Sequence, residues 1–197
     1  MPTEEVAMFA TIATTQHSIR TRPYSRRTIA ILATTAIAAW TTSVAIGSML
    51  TVDPVMHRLA VIAHILSLVG TFGAILLVDW VGFLWLIGRR RLNETSRLES
   101  AAMPLIWGGL AGLLLTGALM HPDTGSPLTL VKLAAVLVLM LNGILLIPLM
   151  RRLHLLPTTT RFQDVSPGQR AHLLLGLSIS QTCWWTTIVV GFINSST

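Results

Sequence analysis

One unbroken apolar stretch, residues 55–88, constrains the fold of this chain most; it reads VMHRLAVIAHILSLVGTFGAILLVDWVGFLWLIG. At about 1.5 Å of rise per residue, a helix of this length exceeds the ~30 Å hydrocarbon core of a bilayer. His57, His64 and Thr71 fall on one side of that helix, because residues advance about 100° each. Asp79 lies near the same side. Lipid cannot solvate such groups, so we expect this polar side to face other helices, a cofactor or trapped water.

Four further apolar runs accompany this stretch, at residues 28–50, 102–120, 128–150 and 172–193. Each is near the ~20 residues that a transmembrane helix requires. With 52% hydrophobic and only 11% charged residues, the composition is typical of a polytopic membrane protein in contact with the lipid bilayer. We predict an all-α protein, with an N-terminal segment at residues 1–27 and one domain of five transmembrane helices at residues 28–197. Helices two to five are expected to form a four-helix bundle, with helix one packed outside it.

The basic residues indicate orientation. Twelve of the fourteen lie in alternate connections, and only Arg58 and Lys132 lie on the opposite side. By the positive-inside rule, the N-terminal segment is cytoplasmic and the C-terminus is external. The net charge of +6 does not indicate a nucleic-acid partner, because the charges are spread over separate loops and form no continuous patch. We therefore predict a multi-pass protein of the prokaryotic cytoplasmic (inner) membrane.

His64 is the leading residue for a functional site. Membrane cytochromes hold haem b between helices through neutral imidazoles, and a histidine inside a helix, on a face with small residues, suits an axial ligand. The alternative is that a neighbouring Ser, Thr or Asn satisfies His64. His57 cannot bind the same iron from the opposite side, so the second ligand must come from another helix. The candidates for it are His121, Lys132 and Met120. Hydrogen bonds within the bundle are expected from Thr71, Asn142 and Gln181.

Two other readings of the sequence stay open. The pairs Met56-His57 and Met120-His121 stand at external helix ends, and thioether with imidazole ligands suits Cu(I). The other reading is a cofactor-free subunit of a larger membrane complex, packed through small residues. The single cysteine, Cys183, excludes an intramolecular disulfide and is expected to be a packing residue.

Several motifs in residues 55–193 resemble one family. They are AHILSLVGTFGAILL around His64, an Arg-rich loop, a helix running from Pro104 to Thr116-Gly117, and LVKLAAVLVLMLNG with Lys132. This pattern resembles the four-helix membrane superfamily of copper-resistance D (CopD-like) proteins and bacterial protoporphyrinogen oxidases (HemJ-like). The resemblance implies haem or porphyrin binding at His64, with Lys132 near a propionate or substrate carboxylate. The family's further histidine beside the lysine is replaced here by apolar residues.

If the haem reading holds, the protein passes electrons or oxidises a tetrapyrrole, and it needs a quinone or a redox protein as partner. Whether it is an enzyme stays open. Four local features are also expected. Residues 89–99 form a loop before helix three, Trp85 lies at the membrane interface, Asp79 pairs with a loop arginine, and His154 is interfacial or solvated.

Overall fold

The structure is a computed structural model that describes the backbone of residues 25–196 and the side chains of residues 25–194. This part of the chain contains no strand. It folds into five α-helices, which are α1 (Arg26–Met49), α2 (Pro54–Leu86), α3 (Leu92–Ala118), α4 (Pro127–His154) and α5 (Pro167–Ser196), with a 3₁₀ turn at Phe162–Asp164. All five helices are long and apolar enough to cross a membrane. The predicted all-α, five-helix fold is confirmed. Most of the predicted cytoplasmic segment, residues 1–24, lies outside the described residues, as does residue 197.

The helix boundaries follow from local chemistry. The Asp53 carboxylate accepts hydrogen bonds from the backbone N–H groups of Val55 and Met56, at 2.9 and 3.0 Å, so it caps the start of α2. Pro54 at the first position of α2 has no N–H to leave unpaired. Proline also opens α4 and α5. These starts place short connections between consecutive helices, which therefore run antiparallel.

The helices pack as two antiparallel pairs, α2 with α3 and α4 with α5, which together form the four-helix core. The first helix packs mainly against α3 and α4. The indole Nε1 of Trp40 donates to the Leu133 carbonyl of α4 at 3.0 Å, and the Ser43 hydroxyl donates to the Leu114 carbonyl of α3 at 2.6 Å. Helix one therefore lies outside the bundle, as predicted.

The third helix begins at Leu92, and its predicted start near Ala101 was wrong. Leu92, Thr95, Glu99 and Ala102 are all buried, at spacings of three and four residues that place them on one helix face. The intervening polar residues lowered the mean hydropathy of this turn-rich stretch and concealed that periodicity. Residues 92–99 are consequently part of the bundle rather than a surface loop.

The α2–α3 interface is very close because glycine meets hydroxyl-bearing residues there. A Cβ added at Gly109 would collide with the Thr71 side chain, and one added at Gly112 would lie 2.7 Å from the Ser67 hydroxyl. Thr71 is completely buried and donates to the Ser67 carbonyl at 2.6 Å. By contrast, no atom lies within 4 Å of a Cβ added at Gly108. The helices thus approach through Gly109 and Gly112, and Gly108 of the GxxxG spacing lies away from this contact.

Trp85 lies one residue before the end of α2, and it is only 3% exposed, so its position at a membrane interface stays a prediction. Its indole donates to the Thr160 carbonyl at 3.1 Å, and its ring meets Phe162 edge-on at a centroid distance of 5.2 Å. The connection between α4 and α5 folds back over the end of α2 and covers this residue. Trp80, which is 58% exposed, keeps the surface position expected of an interfacial aromatic residue.

Candidate functional site

Polar residues inside the bundle separate into two ends. The end that carries the arginines will be called the Arg-rich end; its loops and helix termini contain Arg89, Arg90, Arg91, Arg151, Arg152 and Arg161. The opposite end will be called the His64 end. It contains His64 on α2, Thr116 near the end of α3, and Lys132 near the start of α4. Each end holds its own set of partly buried polar side chains.

The ring of His64 is held in one tautomer by the third helix. Its Nδ1 lies 2.8 Å from the Thr116 hydroxyl oxygen, and that hydroxyl donates its only proton to the Gly112 carbonyl at 2.6 Å. Thr116 therefore accepts from the imidazole, so Nδ1 carries the ring proton. In the neutral imidazole, the lone pair of Nε2 is left available to a ligand or a metal.

The surroundings of His64 match part of the sequence prediction. Lys132 is close enough to act electrostatically on the His64 ring. Gly117 lies beside it, since an added Cβ would be in ordinary contact with the ring carbon Cε1, at 3.8 Å. Thr71 shares the side of α2 that faces α3, as the helical periodicity predicted, but it is packed against Gly109. The alternative that a threonine satisfies His64 therefore holds for Nδ1.

The two Met-His pairs are placed differently from each other. His57 is half-buried and Met56 is 45% exposed, whereas His121 is exposed and adopts a left-handed backbone conformation with φ of 48°. Met120 is half-buried. Among residues 25–196, no three His, Cys, Asp or Glu side chains form a group that would hold a metal ion. Two nearby carboxylates serve local structure, since Asp53 caps α2 and Asp123 accepts from the Gly125 N–H at 2.9 Å.

Asn142 makes the interhelical hydrogen bond expected of it. Its amide donates to the Gly176 carbonyl of α5 at 2.9 Å, and the residue is buried. Nearer the His64 end, the Asn194 amide donates to the Thr129 hydroxyl at 3.1 Å and joins the same two helices. Asn142 thus contributes to the α4–α5 pair, and the structure does not bring it into contact with His64.

Asp79 pairs with an amide instead of an arginine, so the predicted partner was wrong. The Gln181 amide of α5 donates to Asp79 Oδ2 at 2.6 Å. Asp79 faces the interior of the bundle rather than the Arg-bearing loops, which accounts for this partner. A carboxylate has lone pairs on both oxygens, so Asp79 retains capacity for another donor.

A second polar pair at the Arg-rich end was missed by the sequence analysis. His154, predicted to be interfacial or solvated, is partly exposed, and its Nε2 lies 2.6 Å from Glu99 Oε2. The glutamate side chain is only 6% exposed, whereas that of His154 is 31% exposed. The periodic burial of Leu92, Thr95 and Glu99 was the available signal, because it places Glu99 on the inner face of α3.

A cavity of about 150 Å³ lies at the Arg-rich end, between all four helices of the bundle. Asp79, Thr95 and His154 line it together with mostly apolar residues. The Thr95 hydroxyl is buried and has no hydrogen-bond partner within the described part of the chain. An adjacent cleft of about 250 Å³ includes Arg161 and shares Trp85 and Phe162 with the cavity. His64 lines neither of these spaces.

Comparisons with protein-family models, curated proteins and solved structures found no match to this chain. The CopD-like and HemJ-like resemblance therefore stays a prediction, and functional conclusions rest on the residues themselves.

Proposed function

We propose that the chain is a multi-pass membrane protein that binds haem b, or another porphyrin, through Nε2 of His64 and takes part in electron transfer. The observation that carries this proposal is the hydrogen-bond chain from His64 Nδ1 through Thr116 to the Gly112 carbonyl. A histidine that ligates a metal through one ring nitrogen characteristically donates the other N–H to a protein acceptor, which fixes its tautomer and orientation. The described residues thus fit one axial position.

The neighbouring residues support the same assignment. Thr116 holds the His64 ring through its hydroxyl oxygen. Lys132 supplies a positive charge in the same region, suited to a porphyrin carboxylate. When bound, haem supplies a one-electron redox centre. The proposal names His64 as the ligand from this chain, and a second ligand from His121, Lys132 or Met120 stays a prediction.

The decisive experiment is an absorption spectrum of the detergent-purified protein, oxidised and dithionite-reduced, with metal analysis of the same sample. We expect a Soret band that shifts on reduction and is lost in His64→Ala. His172→Ala is the matched control, because His172 is exposed at the start of α5. The assignment would be refuted if the protein is incubated with haem, freed of unbound haem, and then shows no Soret band. A Soret band of equal strength in His64→Ala would show that a different residue ligates the haem.

The location proposed for the protein is the prokaryotic cytoplasmic membrane, with the Arg-rich end in the cytoplasm and the C-terminus outside. The support is the charge asymmetry between the two ends. Single cysteines at Ser100 and Thr124, introduced into Cys183→Ser protein, lie at opposite ends and are exposed. A membrane-impermeant maleimide added to intact cells should label only the cysteine at position 124. Labelling of position 100 alone would reverse the proposed orientation.

Copper handling by the Met-His pairs stays a prediction, as does the role of a cofactor-free subunit. The metal analysis addresses the first of these. Colourless, metal-free protein that co-purifies with other membrane proteins would favour the second.

A further inference from the structure

The cavity at the Arg-rich end has the dimensions of a small ligand site. Its volume of about 150 Å³ is lined by residues of α2, α3, α4 and α5. A cavity of about this size accepts one benzene-sized ring. A porphyrin is several times larger, so this space cannot be the haem site proposed at His64. It is a separate feature of the bundle.

The polar groups around the cavity are few and come from different helices. Thr95 of α3 is 7% exposed, and its hydroxyl has no partner in the described structure. A buried hydroxyl without a hydrogen bond is unfavourable. The Thr95 hydroxyl oxygen has almost no accessible surface, so rotation of the side chain about its Cα–Cβ bond would bring it to a ligand oxygen in the cavity. Asp79 of α2 is fixed by Gln181 and can accept a second hydrogen bond. The cavity thus offers a donor and an acceptor in otherwise apolar surroundings, which is the general character of small-molecule sites.

The cavity also borders the outer surface of the bundle. Phe83 of α2 and Leu174 of α5 both line it, and they are 47% and 43% exposed. Such exposed apolar side chains on spanning helices face lipid, so a lipid-soluble molecule would enter from the bilayer between α2 and α5. A strictly water-soluble ligand would have to cross this apolar lining.

From size, polarity and access together, we propose that this cavity binds the headgroup of a benzoquinone or benzoquinol. One six-membered ring fits the volume. The Thr95 hydroxyl donates to a quinone oxygen, and the Asp79 carboxylate accepts from a quinol hydroxyl. The assignment of this ligand as the electron partner rests on the proposed function, whereas its binding does not require haem.

The test is calorimetric titration of the full-length protein in quinone-free lipid nanodiscs with a decyl-substituted benzoquinone. Gly82→Leu should abolish detectable binding, because Gly82 lines the cavity and a Cβ there meets no atom within 4 Å, so the larger side chain fills the space. Gly73→Leu is the control on the same helix. Gly73 also has no atom within 4 Å of an added Cβ, but it does not line the cavity. Unchanged binding in Gly82→Leu would overturn the proposal.

A second variant tests the chemistry of the ligand. Thr95→Val should weaken quinone binding about fivefold, the loss expected for one neutral hydrogen bond. It should not lower the thermal unfolding midpoint of the ligand-free protein, and should raise it if anything, since the buried hydroxyl it removes has no partner within the described residues. If decylbenzene binds as tightly as the quinone and Thr95→Val has no effect, the cavity is an acyl-chain site and the quinone proposal is wrong.

The haem proposal and the quinone proposal can be refuted independently of each other. Gly82→Leu should lose quinone binding and keep the Soret band, whereas His64→Ala should lose the band and keep quinone binding. Loss of both properties in both variants, with normal folding, would contradict the separation of the two sites.

Discussion

The two ends of the bundle use polar residues in opposite ways. At the His64 end, hydroxyls and glycines bring α2 and α3 together, and the polar atoms form one continuous chain from His64 to the Gly112 carbonyl. At the Arg-rich end, the four core helices surround a cavity, and the polar residues divide into the pairs Asp79–Gln181 and Glu99–His154. One end is closely packed around its histidine, and the other encloses open volume.

This difference shows that apolar helices of similar composition can support different chemistry at their two ends. Close packing fixes a ring and its tautomer, which suits a metal ligand. Open volume with a few hydrogen-bonding groups suits an exchangeable small molecule. The contrast can be tested by substitutions that alter packing or hydrogen bonding at one end at a time.

The largest effect is expected where the packing is closest. Gly109→Leu should lower the free energy of unfolding by about 3 kcal/mol, because the new side chain forces α2 and α3 apart. Gly82→Leu at the Arg-rich end should change it by less than about 0.5 kcal/mol, since it extends into open volume. Reversible denaturation in mixed detergent micelles measures both. Equal destabilisation would remove the distinction in packing between the two ends.

The next effect concerns the buried carboxylate at the Arg-rich end. His154→Ala should cost about 2 kcal/mol, because it leaves Glu99 buried without the partner shown here. His172→Ala, an exposed histidine at the same end, should cost less than about 0.5 kcal/mol. The same denaturation experiment compares them. If His154→Ala behaves like His172→Ala, the Glu99 pair does not stabilise this end.

A smaller effect should appear in cofactor binding at the His64 end. Thr116→Val removes the acceptor of the His64 N–H and should weaken haem affinity about tenfold, as loss of a ligand's supporting hydrogen bond does. Thr187→Val is the control, because the Thr187 hydroxyl donates only to the Cys183 carbonyl of its own helix. Haem titration monitored at the Soret band gives both affinities. Identical affinities would show that Thr116 does not set the ligand's orientation.

The smallest effect is expected for the hydrogen bond that joins α4 to α5 in the middle of the bundle. Asn142→Val should lower the free energy of unfolding by about 0.6 kcal/mol, the average for a hydrogen bond between membrane helices. It should leave both haem and quinone binding unchanged, because Asn142 joins α4 to α5 and lines neither site. A loss of either ligand in this variant would show that the two ends are coupled through the middle of the bundle.

Much of the fold followed from the sequence because span length and hydropathy are properties of each segment alone. The polar side of α2 was also predictable, since His64 and Thr71 share a helix face and both meet α3. The start of α3 was missed because burial of Leu92, Thr95 and Glu99 is periodic without being strongly apolar. In this stretch, the spacing of the buried side chains indicates a helix, whereas the mean hydropathy of the whole stretch does not.

Hydrogen-bond partners of the polar side chains were harder to predict from the sequence than the positions of the helices. Asp79 and Gln181 are 102 residues apart, and Glu99 and His154 are 55 apart, so nothing local in the sequence joins them. The cavity results from how the ends of four helices and the 3₁₀ turn meet, which is a property of the assembled bundle. His64 was identified because an intramembrane histidine is conspicuous by itself, whereas its tautomer depends on Thr116 of a different helix.

The position of α1 has a consequence for the order of assembly during synthesis. This helix precedes α2 to α5 in the chain, yet it contacts α3 and α4 and hydrogen-bonds to Leu133, 93 residues after Trp40. Its docking surface is complete only once α4 has been made, whereas α2 and α3 are neighbours along the chain and can pair as soon as both are made. The docking of α1 is therefore expected to be a late step of folding.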